Sequence, residues 1–231
     1  NNAATAGGGL RVDGGSPTLT NVTFAGNLAG QGGALYNSGN ATPVIRNSIL
    51  WGNLTDPVSA DPLSNSVRNE PGSAPSFAAS LIQGAGGSGA GWNAAAGTDG
   101  GGNLDADPRY VQPANADTGA GDARLQQGSP AIDRGDNAAT SEPRDLDARP
   151  RILDGDGDNA AAIDMGAYER DTACLAPTAP QVTVAINAGR VELTWAAANG
   201  VTYDTYRSTD PHFTPDAPYA TQVASPWQDA D

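Results

Sequence analysis

Lysine is absent from the chain, and cysteine, histidine and methionine occur once each, as Cys174, His212 and Met165. All 12 basic residues are therefore arginines, set against 26 acidic ones for a formal net charge of −14. A field of that sign repels phosphate backbones and anionic headgroups, so it argues against nucleic acid as a partner and against a basic membrane-binding patch. Divalent cations are tolerated or attracted by the same field. One cysteine permits no internal disulfide; an unpaired Cys174 in an extracellular chain calls for burial, a partner chain or a lost neighbour. Aromatic residues are scarce, at 6 %. No stretch is long and apolar enough to span a bilayer, and the opening "NNAATAGGGLRVDGG" has neither the basic start nor the apolar run of an export signal. It starts in mid-pattern, which points to a fragment with any export signal upstream.

What is present is a repeat. "GGLRVDGGSPTLTNVTFAGN" (8–27) aligns with "GALYNSGNATPVIRNSILWGN" (33–53), so that Leu19 meets Ile45, Asn21 meets Asn47 and Asn27 meets Asn53. A third copy, "PSFAASLIQG" (75–84), places Phe77, Leu81 and Ile82 at the positions of Ile45, Ile49 and Leu50. Asn21 precedes Asn47 by 26 residues, inside the range of roughly 20–50 where stacked architectures occur. Each copy holds short β-rich runs separated by Gly, Asn, Ser and Pro, and helical periodicity is absent. That pattern predicts an all-β chain whose coils stack as a parallel β-helix. The recurring asparagines belong at turns, with Asn21 and Asn47 as the expected side-chain ladder. The longer spacing before the third copy predicts that "TDPVSADPLSNSVRNEPGSA" is a loop thrown out from the stack. "GAGGSGAGWNAAAGTDGGGN" reads as a low-complexity cover or spacer, with Trp92 as a contact point.

The domain reading is coils over 1–101, a terminal cap over 102–170, a linker over 171–180 and a separate module over 181–231. A stack of coils needs a cap because its last coil exposes apolar surface and unpaired strand edges. In the last region, "PQVTVAINAGRVELTW" alternates apolar and polar residues around "NAG", which predicts a hairpin.

The densest acidic stretch, "LDGDGDNAAAIDMGAYE" (153–169), supports two readings. Asp154, Asp156 and Asp158 alternate as the first three ligands of a calcium loop do, with Asp164 or Glu169 to complete the set. The sixth loop position is Asn159 rather than Gly, however, and the twelfth is Met165. The other reading is a solvated acidic turn, with Asp164 bonding backbone amides. No catalytic constellation stands out. Arg11, Arg46 and Arg68 have no acid cluster beside them, Ser129 in "GSPAID" lacks the nucleophile-elbow frame, and His212 in "DPHFTPD" reads as a surface turn.

The repeats "GGLRVDG…NVTFAGN" and "GGALYNSG…NSILWGN" resemble those of bacterial extracellular right-handed β-helix proteins, the polymorphic outer-membrane-protein and pectate-lyase-like group. The segment "NLDADPRYV…ARLQQGSPAIDRGD…DARPRILDGDGDNAAAIDMGAYE" resembles the C-terminal cap of the choice-of-anchor Q proteins. From Pro177 onward the chain is similar to a fibronectin type III module, a β-sandwich, with Trp195 in the core position and too few residues for its seven strands. These resemblances imply a bacterial protein exported to the cell surface or beyond, with a structural or adhesive role towards a surface carbohydrate or protein. Two alternatives accompany that expectation. One is a carbohydrate-active enzyme, a polysaccharide lyase or hydrolase using Ca²⁺ and a basic residue, with its catalytic coils upstream. The other is self-association into a filament, in which strand addition from a second chain completes the module.

Overall fold

The computed structural model describes residues 3–116 and 118–171, together with five short strands of the C-terminal region. Two compact units divide the chain, Asn1–Thr172 and Ala173–Asp231. Cys174, Trp195, His212 and the expected linker over 171–180 fall outside the described residues, apart from Asp171.

The first unit is mostly β. Its first circuit of chain supplies β1 (Ala3–Ala4), β2 (Leu10–Asp13), β3 (Thr18–Thr20) and β4 (Thr23–Ala25). The second supplies β5 (Leu28–Ala29), β6 (Leu35–Ser38), β7 (Val44–Arg46) and β8 (Ile49–Trp51). In the third, β9 (Leu54–Thr55) is followed by helix α1 (Pro62–Ser66), β10 (Val67–Asn69), β11 (Ser76–Ala78) and β12 (Leu81–Ile82); β13 (Thr98–Asp99) comes next. These strands form four sheets, β1-β5-β9, β2-β6-β10, β3-β7-β11-β13 and β4-β8-β12. Every pairing in them is parallel. The backbone of each circuit thus bonds to the circuits beside it.

Register puts like on like. Leu19, Ile45 and Phe77 form one column, Phe24, Leu50 and Ile82 a second, and Leu10, Leu35 and Val67 a third. All nine belong to, or pack against, one apolar cluster. Burying each large side chain of this kind is worth about 1.5–3 kcal/mol, which is how strands of two to four residues hold together.

The corner between the third and fourth sheets is left-handed in every circuit, with φ of 58° at Asn21, 48° at Asn47 and 45° at Ala79. Asparagine takes that conformation more readily than other residues with a side chain, which explains its recurrence. The expected Asn21–Asn47 ladder does not form. Asn47 turns its amide to Asp136, accepting from its N–H (2.8 Å) and donating to its carbonyl (3.0 Å), while Asn21 Oδ1 is buried without a hydrogen-bond partner. The ladders lie elsewhere. Asn27 Nδ2 donates to Asn53 Oδ1 at 2.9 Å and Asn37 Nδ2 to Asn69 Oδ1 at 2.7 Å. Beside the corners, Val22 N donates to Ser48 Oγ, Ser48 N to Ser80 Oγ, and Ser80 N to Asn103 Oδ1.

The stretch expected as a protruding loop is largely folded back. Asp61 caps α1 by accepting from Leu63 N, Leu63 is buried in the main core, and Val67–Asn69 is a strand of the second sheet. Only the tip stands out, with Val58 64 % exposed. The glycine-rich stretch closes the last circuit, and in doing so it buries Ala85 and Ala96 completely. Trp92 is not presented for contact: its ring packs on Phe77, centroids 6.2 Å apart, and its Nε1 donates to Gly97 O. Asp99 ties this cover together, accepting from Gly89 N, Ser88 Oγ, Gly101 N and Asn103 Nδ2. Those donors, the Gly89 amide first, hold its carboxyl down at about 2.

The remaining segment was expected to close the end of the stack; it instead runs along the flank. It contains two antiparallel pairs, β14 (Tyr110–Gln112) with β15 (Asp122–Leu125) and β16 (Ile152–Leu153) with β17 (Ala162–Ile163). Tyr110, Leu125, Ala131, Ile132 and Met165 form a second cluster with Ile49 and Leu81 of the fourth sheet. Its backbone reaches two circuits directly: Ala167 N donates to Thr23 Oγ1, and Gly166 N to Asn47 O. Glycine is required at 166, where φ is 102° and a Cβ would lie 2.7 Å from Thr23 Oγ1 and 3.0 Å from Ile49 Cδ1. The cause is the strand composition. "ILW" and "LI" are apolar on both faces, so the fourth sheet needs cover inside and outside.

In the second unit, β18 (Thr183–Asn187) and β19 (Arg190–Thr194) pair antiparallel from Thr183–Thr194 to Asn187–Arg190, the hairpin expected around "NAG". β20 (Tyr203–Thr205) pairs with β21 (Ala220–Val223), and β22 (Trp227–Gln228) adds to β19.

Candidate functional site

The acidic stretch forms the connection between β16 and β17. Glycine and aspartate dominate it because the chain must turn tightly there, and short carboxylates satisfy amides that no strand partner reaches. Asp154 accepts from Gly157 N (2.6 Å) and Asn159 N (2.9 Å), Asp156 from Asp158 N, and Asp158 from Ala160 N. Asn159 supplies a left-handed residue at φ 70°.

Of the four expected ligands, Asp154 and Asp156 come together, and the third member of their group is Asp133. Carboxylate oxygens of Asp133, Asp154 and Asp156 lie within 4.8 Å of one another. Asp133 arrives from a separate turn, itself left-handed at φ 54°, and accepts from Gly155 N (3.0 Å) and Asp156 N (2.9 Å). Nothing in the spacing of the acidic stretch announces it. The available signal was "AIDRGD", an apolar anchor followed by Asp and Gly, but only the fold places it against the β16–β17 turn. Asp158 is outside this group.

Asp164 is not available to a cation in the way the calcium-loop spacing suggested. It is 1 % exposed, and its two oxygens accept from Asp133 N (2.8 Å) and Arg170 N (2.6 Å). Burial pushes its carboxyl up to about 7 against the pull of those amides. Glu169 lies beside it, accepting from Asp164 N at 2.9 Å and from Arg151 Nη1 at 3.2 Å. Burial and then the Asp164 charge raise Glu169 to about 8, and Arg151 only partly opposes them. Asp133 is also raised, chiefly by burial and further by the Asp156 charge.

Three carboxylates so close repel one another, and a hard divalent cation relieves that repulsion. Each carboxylate has about four lone-pair sites. A donor set made of oxygens from Asp133, Asp154 and Asp156 suits the oxygen-rich shell of calcium.

The cations weighed for catalysis sit on strands away from this group. Arg11 on β2 stacks over Tyr36, 5.3 Å from its centroid, and faces Asp13 at 3.9 Å; Arg68 on β10 pairs with Glu70 at 3.0 Å. Arg46 is exposed on β7. Ser129 is buried, and its hydroxyl donates to Pro108 O while accepting from Ala131 N. No protein family, curated protein or solved structure matches the chain.

Proposed function

We propose that the first unit is part of a right-handed parallel β-helix and acts as an extracellular structural and adhesive scaffold on a bacterial surface. The observation that carries this reading is the unbroken parallel register of four sheets over three circuits. A parallel crossover of this type is almost always right-handed. Backbone bonds from circuit to circuit make a stiff body, and stiffness is what a surface spacer requires. The resemblance to choice-of-anchor Q and polymorphic outer-membrane proteins supports the bacterial surface placement. The second unit, a fibronectin type III-like sandwich in this reading, extends the display.

Calcium has a structural part here. Bound by Asp133, Asp154 and Asp156, it would staple the β16–β17 turn to the turn before it and so hold the flank segment. Adding calcium should raise the melting temperature by several degrees for a site occupied at about 100 times its Kd. Asp133→Asn should abolish that rise. No calcium-dependent shift, or one unchanged in the variant, would remove calcium from the proposal.

The functional test is an immobilised panel of surface carbohydrates and proteins, together with acidic polysaccharides in solution, with and without calcium. Retention without turnover is the expected result. Release of unsaturated sugar ends would replace the scaffold by a lyase.

A further inference from the structure

An open cleft of about 540 Å³ lies between the first circuit and the flank segment. That volume falls within the roughly 300–1,000 Å³ common for small-ligand sites. One wall is Thr23 and Ala25 of β4; the other comes from β15 and the turns around it. Its small residues keep it open, since Gly26 and Gly121 let Ala114 press against the first circuit instead of filling the space.

The polar groups at its rim are held in fixed positions. Arg124 is clamped by Asp147 through two bonds, Nε to Oδ2 at 2.6 Å and Nη2 to Oδ1 at 2.9 Å, and its Nη1 meets Asp122 Oδ2 at 3.1 Å. The guanidinium lies 5.2 Å from the centroid of Tyr168, which also lines the cleft. Thr23, whose Oγ1 accepts from Ala167 N, adds a hydroxyl to the lining. Leu146, 70 % exposed, also lines the cleft and offers it an apolar surface.

Charge and shape narrow the occupant. The lining carries one carboxylate, Asp122, and one guanidinium, Arg124, which is already paired with Asp122 and Asp147. It offers no unpaired positive charge to an anionic ligand in a chain of net charge −14, and the guanidinium disfavours a metal ion. A wholly apolar ligand would find glycine, alanine and polar groups over most of the lining. A molecule with apolar C–H faces and a rim of hydroxyls matches both sets, the faces against Tyr168 and Leu146 and the hydroxyls towards Asp122, Arg124 and Thr23. We propose that this cleft binds a short neutral oligosaccharide. The inference stands on the cleft alone and holds whether or not the unit serves as a scaffold.

The test is titration of the whole chain with neutral trisaccharides (gluco-, manno-, galacto- and N-acetylglucosamine-configured) and with trigalacturonate, followed by nuclear magnetic resonance. At least one neutral sugar should bind with a Kd of roughly 1 mM or below, and trigalacturonate about tenfold more weakly. Tyr168→Ala and Leu146→Asp should each weaken binding about tenfold with an unchanged circular dichroism spectrum. Because Leu146 is exposed, its variant tests the cleft even if Tyr168→Ala fails to fold. Failure of every neutral sugar to bind, tighter binding of trigalacturonate, or binding that survives Leu146→Asp would overturn the assignment.

Discussion

Asn47→Ala is expected to lower the unfolding free energy of the first unit by about 3–4 kcal/mol, through two separable costs. Alanine must adopt the left-handed corner at φ 48°, which costs about 1–2 kcal/mol. The Asp136 N–H and carbonyl then lose the amide that serves both, at about 1 kcal/mol each. Asn21 provides the internal control, because it occupies the same corner one circuit earlier at φ 58° and its Oδ1 has no partner. Glycine adopts this conformation without strain. Asn21→Gly should therefore be nearly neutral, within about 0.5 kcal/mol, while Asn47→Gly still loses about 2 kcal/mol. Denaturant melts of the three variants measure the difference. Hydrogen exchange should show faster opening of residues 110–166 in the Asn47 variants alone. Equal losses at the two positions would mean that the Asn47–Asp136 bonds contribute nothing to docking the flank segment.

The same two asparagines show what the sequence could and could not reveal. The repeat was legible because stacked circuits must place like residues in columns, and the matches of Leu19, Ile45 and Phe77, or of Phe24, Leu50 and Ile82, are the observed register. That Asn21 and Asn47 occupy turns was legible for the same reason. Their side-chain partners were not, since Asn47 bonds a residue 89 positions away, beyond any periodic pattern. The flank cover did leave a trace: "ILW" and "LI" break the apolar–polar alternation that a sheet with one wet face requires. In the acidic stretch, spacing found the turn but joined the wrong carboxylates. Alternation along a loop does not fix where each side chain points, so Asp158 caps an amide, Asp164 is buried, and Asp133 enters from another turn.

Stability of the first unit should be greatest near pH 4 and fall as the pH rises to about 8, by an amount on the order of a few kcal/mol. Asp164 and Glu169 set this direction. Burial raises them from 3.8 and 4.5 to about 7 and about 8, so the folded state binds more protons than the unfolded state throughout that interval. Their stabilisation is complete below the unfolded values and is lost as the pH passes the folded ones. The two do not ionise independently, because each carries a charge felt by the other, and the loss is spread over the whole window. Arg151 works against it by attracting ionised Glu169, but burial and the Asp164 charge outweigh that attraction. Asp99 acts at the other end: held down at about 2, it contributes above its unfolded value of 3.8 and is lost as the pH falls through 2. Urea melts at successive pH values measure the curve, and Glu169→Gln should flatten the part nearest pH 8. Stability that is flat or rising between pH 4 and 8 would show that the pair ionises in the fold without cost. Calcium should make the fall shallower, because the Asp133 charge that helps to raise Asp164 is the one a bound divalent cation would neutralise.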